Sequence, residues 1–110
     1  MGRRPGYLKF EARLLRGLAR LWFSAAVYRG RMWVLGGWSR VPETNWGDAW
    51  FSRDGKEWTQ LTSKVTWKAR HEHSVFVFRD KLWIAGGHAK PLSNEVWSLR
   101  LPPDFFAAER

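Results

Sequence analysis

The sequence predicts an all-β fold built from repeated antiparallel sheets, and three observations predict it. Residues 20–37 align without a gap on residues 70–87, fifty positions later, and seven of the eighteen aligned positions are identical. Each copy divides into short apolar runs separated by turn residues, which is typical of strands. Asp54-Gly55 adds a strong two-residue hairpin signal. A fixed period of this length indicates an array of similar supersecondary units.

Each unit begins with a hairpin of two predicted strands, A and B, joined by a tight turn. The ranges are 24–28 and 31–35 in the first unit and 73–78 and 81–85 in the second. Both copies of strand B are apolar at consecutive positions, which predicts burial on both faces of the strand. A glycine pair ends strand B in each copy, at Gly36-Gly37 and Gly86-Gly87. Glycine permits a positive φ and close backbone approach, so we expect both pairs to be structural.

A third strand, C, carries a Trp that the two units share once a gap in the preceding loop is allowed. The strand and its Trp are residues 47–52 with Trp50 in the first unit and residues 94–98 with Trp97 in the second. Only the first unit continues into a strand D, residues 57–62, which contains Trp58. In the second unit Pro102 and Pro103 follow, and proline cannot continue a central strand. The second unit is therefore expected to be incomplete.

The order of these residues resembles the kelch repeat over about residues 20–100. The shared pattern is an Arg before strand A, then Lys/Arg-x-Trp-x-x-Gly-Gly, an acidic residue before Ala/Val-Trp, and Asp-Gly-x-x-Trp. Kelch repeats form the four-stranded blades of β-propellers, so the resemblance implies about two blades of a partial propeller. Propellers contain about four to eight blades. The chain thus looks like the C-terminal part of a larger propeller, with blades at residues 20–69 and 70–110.

The net charge of +9 is concentrated in the first part of the chain. Residues 1–20 hold six Arg or Lys against one Glu, whereas the remaining ninety hold thirteen against nine acidic residues. Residues 1–19 therefore form a separate basic segment, interpreted as an amphipathic helix, an organelle presequence or a divergent remnant of another unit. Arginines interrupt its apolar run, so neither a membrane span nor a removable secretory signal is predicted. The absence of Cys leaves the redox compartment open.

Strand alternation predicts that the B–C loops and the D–A link emerge at one edge of the sheets. Aromatic and basic residues gather in these connections, and such side chains are typical of interface hot spots. The binding candidates are Trp38, Arg40 and Trp46 in the first B–C loop and His88 and Lys90 in the second. For Trp46, packing between the blades is the alternative to binding. For Trp67, packing between the blades is the favoured interpretation.

Neither a metal site nor a catalytic set is predicted. His71, His73 and His88 are the only histidines, and no carboxylate stands at an obvious ligand spacing beside them. A copper oxidase of the galactose oxidase type would need a Cys, which the chain lacks. Residues 52–58 resemble the Asp-box of other propellers, in which the motif shapes a turn. No cofactor is expected.

These observations predict a non-catalytic interaction module that binds a protein partner through the B–C and D–A loops. Two alternatives stay open: a piece of a propeller enzyme or carbohydrate-binding protein whose site lies in other blades, and, with less support, a basic nucleic-acid binder. Trp33, Trp50, Trp83 and Trp97 occupy repeated positions predicted to lie in the core, so these Trp residues are not expected to serve as stacking platforms for bases. Uncovered sheet faces and edges further predict self-association, with copies completing a ring.

Overall fold

The computed structural model describes residues 20–63 and 67–107, and this part of the chain contains nine β-strands and no helix. The strands are β1 Ser24–Tyr28, β2 Arg31–Leu35, β3 Trp38–Arg40, β4 Glu43–Asn45, β5 Ala49–Ser52, β6 Thr59–Gln60, β7 Ser74–Phe78, β8 Lys81–Ala85 and β9 Val96–Leu99. The basic segment predicted at residues 1–19 lies outside the described residues.

Every strand pairing is antiparallel. The first sheet has the order β1-β2-β5-β6, and the second has the order β7-β8-β9. The all-β prediction is therefore correct, and the second sheet lacks a fourth strand among the described residues. Strands C and D are shorter than predicted. The first B–C loop also contains a small hairpin, β3-β4, which the sequence pattern did not indicate.

The two A–B turns share one backbone conformation. Both central residues have a positive φ in each turn: 54° and 72° at Arg29 and Gly30, and 53° and 60° at Arg79 and Asp80. This is the conformation of a type I′ turn, whose twist matches that of the flanking strands. Asp80 occupies the position of Gly30 because Asp tolerates the left-handed region better than most residues.

The core lies between the two sheets. Strand register places Trp33 between Ala26 and Phe51 on one face of the first sheet. This face packs against Leu82 and Ile84 of the second sheet. The buried residues of the cluster are Tyr28, Trp33, Leu35, Ala49, Phe51, Leu82, Ile84 and Leu101. Burial of this apolar surface is the main force that holds the sheets together.

The two copies of strand B differ in burial. In β2 the consecutive residues Trp33, Val34 and Leu35 are buried, as predicted. In β8 burial alternates instead: Leu82 and Ile84 are buried, whereas Trp83 between them is half-buried. The prediction of burial on both faces is therefore wrong for the second unit. The reason is that Leu82 and Ile84 point towards the first sheet, while Trp83 points to the opposite, open face.

A buried arginine precedes the first strand of each sheet. Arg20 donates two hydrogen bonds of 2.7 Å to the carboxylate of Asp48 and one of 3.2 Å to the Gly36 carbonyl. The indole of Trp50 donates to the same carboxylate at 3.0 Å. Burial alone would raise the pKa of Asp48, but the bonds from Arg20 and Trp50 lower it below its usual value.

The same arrangement recurs in the second unit. Arg70 donates to the Gly86 carbonyl at 2.8 Å and to Glu95 at 3.1 Å, and the indole of Trp97 donates to Glu95 at 3.2 Å. Each unit thus contains one such cluster. It consists of the repeated Arg, the first glycine of the pair, the Trp of strand C and the acidic residue two positions before that Trp. These contacts explain why the repeat keeps Trp50 and Trp97.

The glycine pairs lie where backbone segments meet. Gly36 has a φ of +63°, and a Cβ there would stand 2.8 Å from the Arg70 carbonyl oxygen. Gly87 has a φ of +97°, and a Cβ would stand 2.8 Å from the Cβ of His73. A side chain at either position would be strained and would push the chain segments apart. Gly37 and Gly86 also have positive φ values.

We expect the Asp48→Asn substitution to destabilise the fold by about 3 kcal/mol, because it leaves the buried Arg20 without a counter-charge. Glu95→Gln is the matched control and should cost much less. The Glu95 side chain is 57% exposed against 9% for Asp48, and Arg70 also bonds the carbonyls of Lys68 and Gly86. Urea denaturation followed by far-ultraviolet circular dichroism measures both losses. Equal losses would contradict this account.

Candidate interaction site

The loop connections of both units meet at one edge of the sheets, here called the loop edge and comprising residues 20–23, 36–48, 67–73 and 86–95. The amide of Gly37 donates to the Arg70 carbonyl at 2.9 Å, and the amide of Arg70 donates to the Trp46 carbonyl at 3.2 Å. The second B–C loop pairs with the segment before β7 through a bridge between His71 and His88. The structure therefore brings the predicted loops together at one edge.

Four aromatic rings form a row along this edge. The ring centroids are 5.3 Å apart between Trp38 and Trp22, 5.2 Å between Trp22 and His71, and 5.0 Å between His71 and His88. We call these four residues the aromatic row. Trp22 is its most accessible member, with 51% of its surface exposed. The row joins both units into one surface.

Trp22 was not among the residues predicted for the site. In the sequence it lies at helical spacing with neighbouring leucines, and the second unit has Glu72 at the equivalent position. The structure gives both residues the same left-handed backbone, with φ values of 58° and 56°. The amide of Glu72 donates to the Trp22 carbonyl at 2.9 Å. The fifty-residue alignment was the available signal, because it places Trp22 just before strand A.

Asn45 connects the first B–C loop to the two histidines. Its side-chain oxygen lies 2.6 Å from Nδ1 of His71, and its side-chain nitrogen donates to the His88 carbonyl at 3.3 Å. Burial and the nearby His88 lower the pKa of His71, while Glu72 opposes the shift. The lowered pKa favours the neutral form of the His71 ring.

The histidines do not converge on a metal site. His73 is buried against Gly36 and Gly87. In residues 20–63 and 67–107, no three side chains of His, Cys, Asp or Glu are arranged to hold a metal ion. His71 and His88 instead pack through their ring faces within the row.

The five predicted binding residues occupy different environments. Trp38 and His88 belong to the aromatic row, and both are half-buried. Arg40 and Lys90 are exposed, one in each B–C loop. Trp46 is half-buried; its ring lies 4.6 Å from the Arg20 guanidinium, and its indole donates to Ser39 at 3.0 Å. These side-chain contacts lie within the first unit, so they do not show the packing between blades that was the alternative for Trp46.

Exposed apolar side chains extend the surface beyond the row. Val41 at the tip of the β3-β4 hairpin is 76% exposed, and Leu92 in the second B–C loop is equally open. Lys68 is also exposed and donates to the Lys90 carbonyl at 3.0 Å. The loop edge therefore combines aromatic, aliphatic and cationic groups. Trp67 instead packs against the core cluster, as the sequence favoured.

At the edge opposite the loop edge, residues 52–58 form a hairpin held by hydrogen bonds. Ser52 accepts a hydrogen bond from the Gly55 amide at 2.7 Å, and Asp54 accepts from the amides of Lys56 and Glu57 at 2.8 and 3.1 Å. These amides lower the pKa of Asp54. The indole of Trp58 donates to the Gly55 carbonyl at 3.2 Å. The contacts form a tight hairpin, consistent with a turn function for residues 52–58.

A cavity of about 260 Å³ lies between the sheets, and Gly47, Asp48 and Trp67 of the loop edge form part of its lining. Its walls are mainly apolar and include Leu35, Leu61, Ile84 and Trp97. The one carboxylate among its described lining residues belongs to Asp48, which Arg20 and Trp50 already engage. The cavity therefore offers no uncommitted acid or base for catalysis in the part of the chain described.

We expect the free energy of unfolding to fall as the pH drops from about 6.5 towards 4, because of His73. Burial lowers the pKa of its ring from 6.5 to about 4; the Leu35 carbonyl opposes the shift and Arg70 adds to it. The unfolded chain therefore binds this proton first, and protonation favours unfolding. A shift of this size corresponds to about 3 kcal/mol, lost by the time the pH reaches the folded-state pKa.

Urea denaturation at a series of pH values measures this dependence. His73→Phe should remove the part of the pH dependence of stability that His73 causes. The first unit already accommodates a Phe at the equivalent position, Phe23. His71→Gln, two residues away, should retain that pH dependence. An unchanged pH profile in His73→Phe would assign the effect to other groups.

None of the described residues forms a helix long and apolar enough to cross a membrane. Comparison with known proteins gives no match, either to a protein-family model or to a curated sequence.

Proposed function

We propose that this chain is a non-catalytic interaction module that binds a protein partner through the loop edge. The observation that carries the proposal is the aromatic row, with the exposed Trp22 at the surface and Arg40 and Lys90 in the flanking loops. Trp and Arg are the residues that contribute most to binding energy at protein interfaces. They offer large rigid surfaces that lose little conformational freedom on binding.

The module is of the kelch type in this proposal. The four-stranded antiparallel order β1-β2-β5-β6 and its three-stranded counterpart are consistent with such units. The Arg–acid–Trp cluster of each unit accounts for the residues that carry the resemblance. The second described sheet packs on one face of the first, and the two form no closed ring, so binding in this proposal uses an edge shared by two sheets.

The charges of the described residues favour binding over catalysis. The pKa is lowered for the carboxyl groups of Asp48, Asp54, Asp80 and Glu95. In each case the cause is a structural contact: an Arg, a Trp or a turn amide. A general acid or base would need an uncommitted group with its pKa near the working pH.

The chemistry of the loop edge favours a protein over a nucleic acid. Its exposed cations Arg40, Lys68 and Lys90 are accompanied by the exposed acids Glu43 and Glu72, and Glu43 lies opposite Arg40 in the hairpin. A surface of such mixed charge does not attract a phosphate backbone strongly. Its apolar groups, by contrast, suit a partner surface with both apolar and acidic side chains.

We expect Trp22→Ala to weaken partner binding about 30-fold. This corresponds to the loss of about 2 kcal/mol of binding free energy, which is typical of a hot-spot residue. The partner is first identified with a photo-crosslinking amino acid in place of the exposed Val41, at the tip of the β3-β4 hairpin. The same amino acid in place of Lys56, in the hairpin of the opposite edge, is the control. Affinity is then measured by titration with the crosslinked protein.

Lys56→Glu should leave the affinity unchanged, whereas Arg40→Glu should reduce it. The proposal fails if both crosslinking positions capture the same proteins, or if Trp22→Ala binds the captured protein as well as the original chain does.

A further inference from the structure

The second sheet has an open apolar face on the side away from the first sheet. Strand register places Phe76, Phe78, Trp83 and Ala85 on this face, together with Val96 of β9. We call these five residues the Trp83 face. Phe78 is 55% exposed, and Phe76 and Val96 are similarly open. An exposed cluster of large apolar side chains on a sheet marks an interaction surface or an aggregation hazard.

The internal repeat relates the Trp83 face to a face of the first sheet that is covered. Its residues occupy the positions of the first sheet's covered face: Phe76 corresponds to Ala26, Phe78 to Tyr28, Trp83 to Trp33 and Ala85 to Leu35. In the first sheet, Leu82 and Ile84 of the next sheet cover this face. The chain therefore contains one filled and one unfilled version of the same sheet surface.

The Trp83 face is already arranged as its filled counterpart is. The indole of Trp33 donates to the Tyr28 carbonyl at 3.0 Å, and that of Trp83 donates to the Phe78 carbonyl at 3.1 Å. The rings of Phe76 and Trp83 stack with an angle of 5° between their planes. Because these rings are held in place before any partner arrives, docking costs little side-chain entropy.

A cation stands at the edge of each face. Arg29 lies over the ring of Tyr28 and donates two bonds of 2.7 Å to Asp80 of the covering sheet. Arg79, its repeat equivalent, lies over the ring of Phe78 in the same way, at 5.2 Å. Among residues 20–63 and 67–107, no carboxylate pairs with Arg79. The open face therefore lacks both its aliphatic cover and its counter-charge.

We propose that the Trp83 face docks a β-sheet of a partner protein. The partner sheet presents aliphatic side chains where Leu82 and Ile84 stand in the internal interface. It also carries a carboxylate in the turn that meets Arg79, as Asp80 does for Arg29. This surface is separate from the loop edge, and the proposal does not depend on the proposed function.

A second copy of the chain fits this description poorly. Two Trp83 faces brought together would place the cations of Arg79 and Lys81 against each other. The outer face of the first sheet has Gly30 where the covering sheet has Asp80, and Val34 at its centre is already buried. Charge complementarity therefore favours a partner with an acidic turn.

A chain with one added unit supplies a probe of this chemistry. Residues 1–98 are followed directly by residues 52–107, so that Ser98 takes the position of Phe51 and the chain continues through the hairpin into an added copy of the second unit. Trp97 aligns with Trp50, which sets this junction. The added sheet then offers its aliphatic face and its Asp80 to the Trp83 face of the middle unit.

We expect the three-unit chain to unfold at a higher urea concentration than the original chain. In the three-unit chain, Arg79→Gln of the middle unit should lower the urea midpoint, and Asp80→Asn of the added unit should have no further effect on that variant. In the original chain Arg79→Gln should leave the midpoint nearly unchanged.

Three outcomes would overturn the proposal. The three-unit chain could unfold no later than the original chain or aggregate, which would show that the face does not accept such a sheet. Arg79→Gln could lower the urea midpoint of both chains equally, which would show that Arg79 does not pair with Asp80 of the added unit. Finally, light scattering could find a dimer of the original chain that Phe78→Lys dissociates, which would show that a second copy covers the face.

Discussion

The buried arginine that precedes each sheet is the interaction on which the rest of the structure depends. A guanidinium removed from water is tolerated only where acceptors surround it, so Arg20 and Arg70 fix the positions of a glycine carbonyl and a carboxylate in their units. Arg70 has a second role through its backbone, which bonds Gly37 and Trp46 of the first unit. One residue thereby completes the second sheet and attaches it to the first.

This attachment also builds the candidate site. The backbone of Arg70 is bonded to the first unit and its side chain to the second, so the position of the next residue is fixed as well. His71 therefore lies between Trp22 and His88. Asn45 of the first B–C loop then bonds both histidines. The aromatic row is a consequence of how the two units are joined, and neither unit could form it alone. A rigid row suits a binding surface because little ordering is needed on association.

Much of the fold could be predicted from the sequence, because strand periodicity and the repeat are local signals. The hairpins β1-β2 and β7-β8 followed from them, as did the meeting of the loops at one edge. Trp22 was missed because its repeat equivalent, Glu72, has different chemistry. Uncovered sheet faces were expected from the sequence, but the prediction that strand B of the second unit is buried on both faces was wrong. Consecutive apolar residues show that a strand can be buried on both faces, whereas actual burial depends on which neighbours are present. The contacts of Asn45 likewise depend on loop geometry that no periodic pattern encodes.

The central claim is that the two sheets form one cooperative body joined at Arg70, and native-state hydrogen exchange tests it most directly. The amide of Gly37, which bonds the Arg70 carbonyl, should open with the same free energy as the central amides of β2 and β8. That shared value should equal the global free energy of unfolding. If the amides of β7, β8 and β9 instead exchanged through an opening several kcal/mol below that of β1, β2 and β5, the sheets would unfold separately and the account would be contradicted.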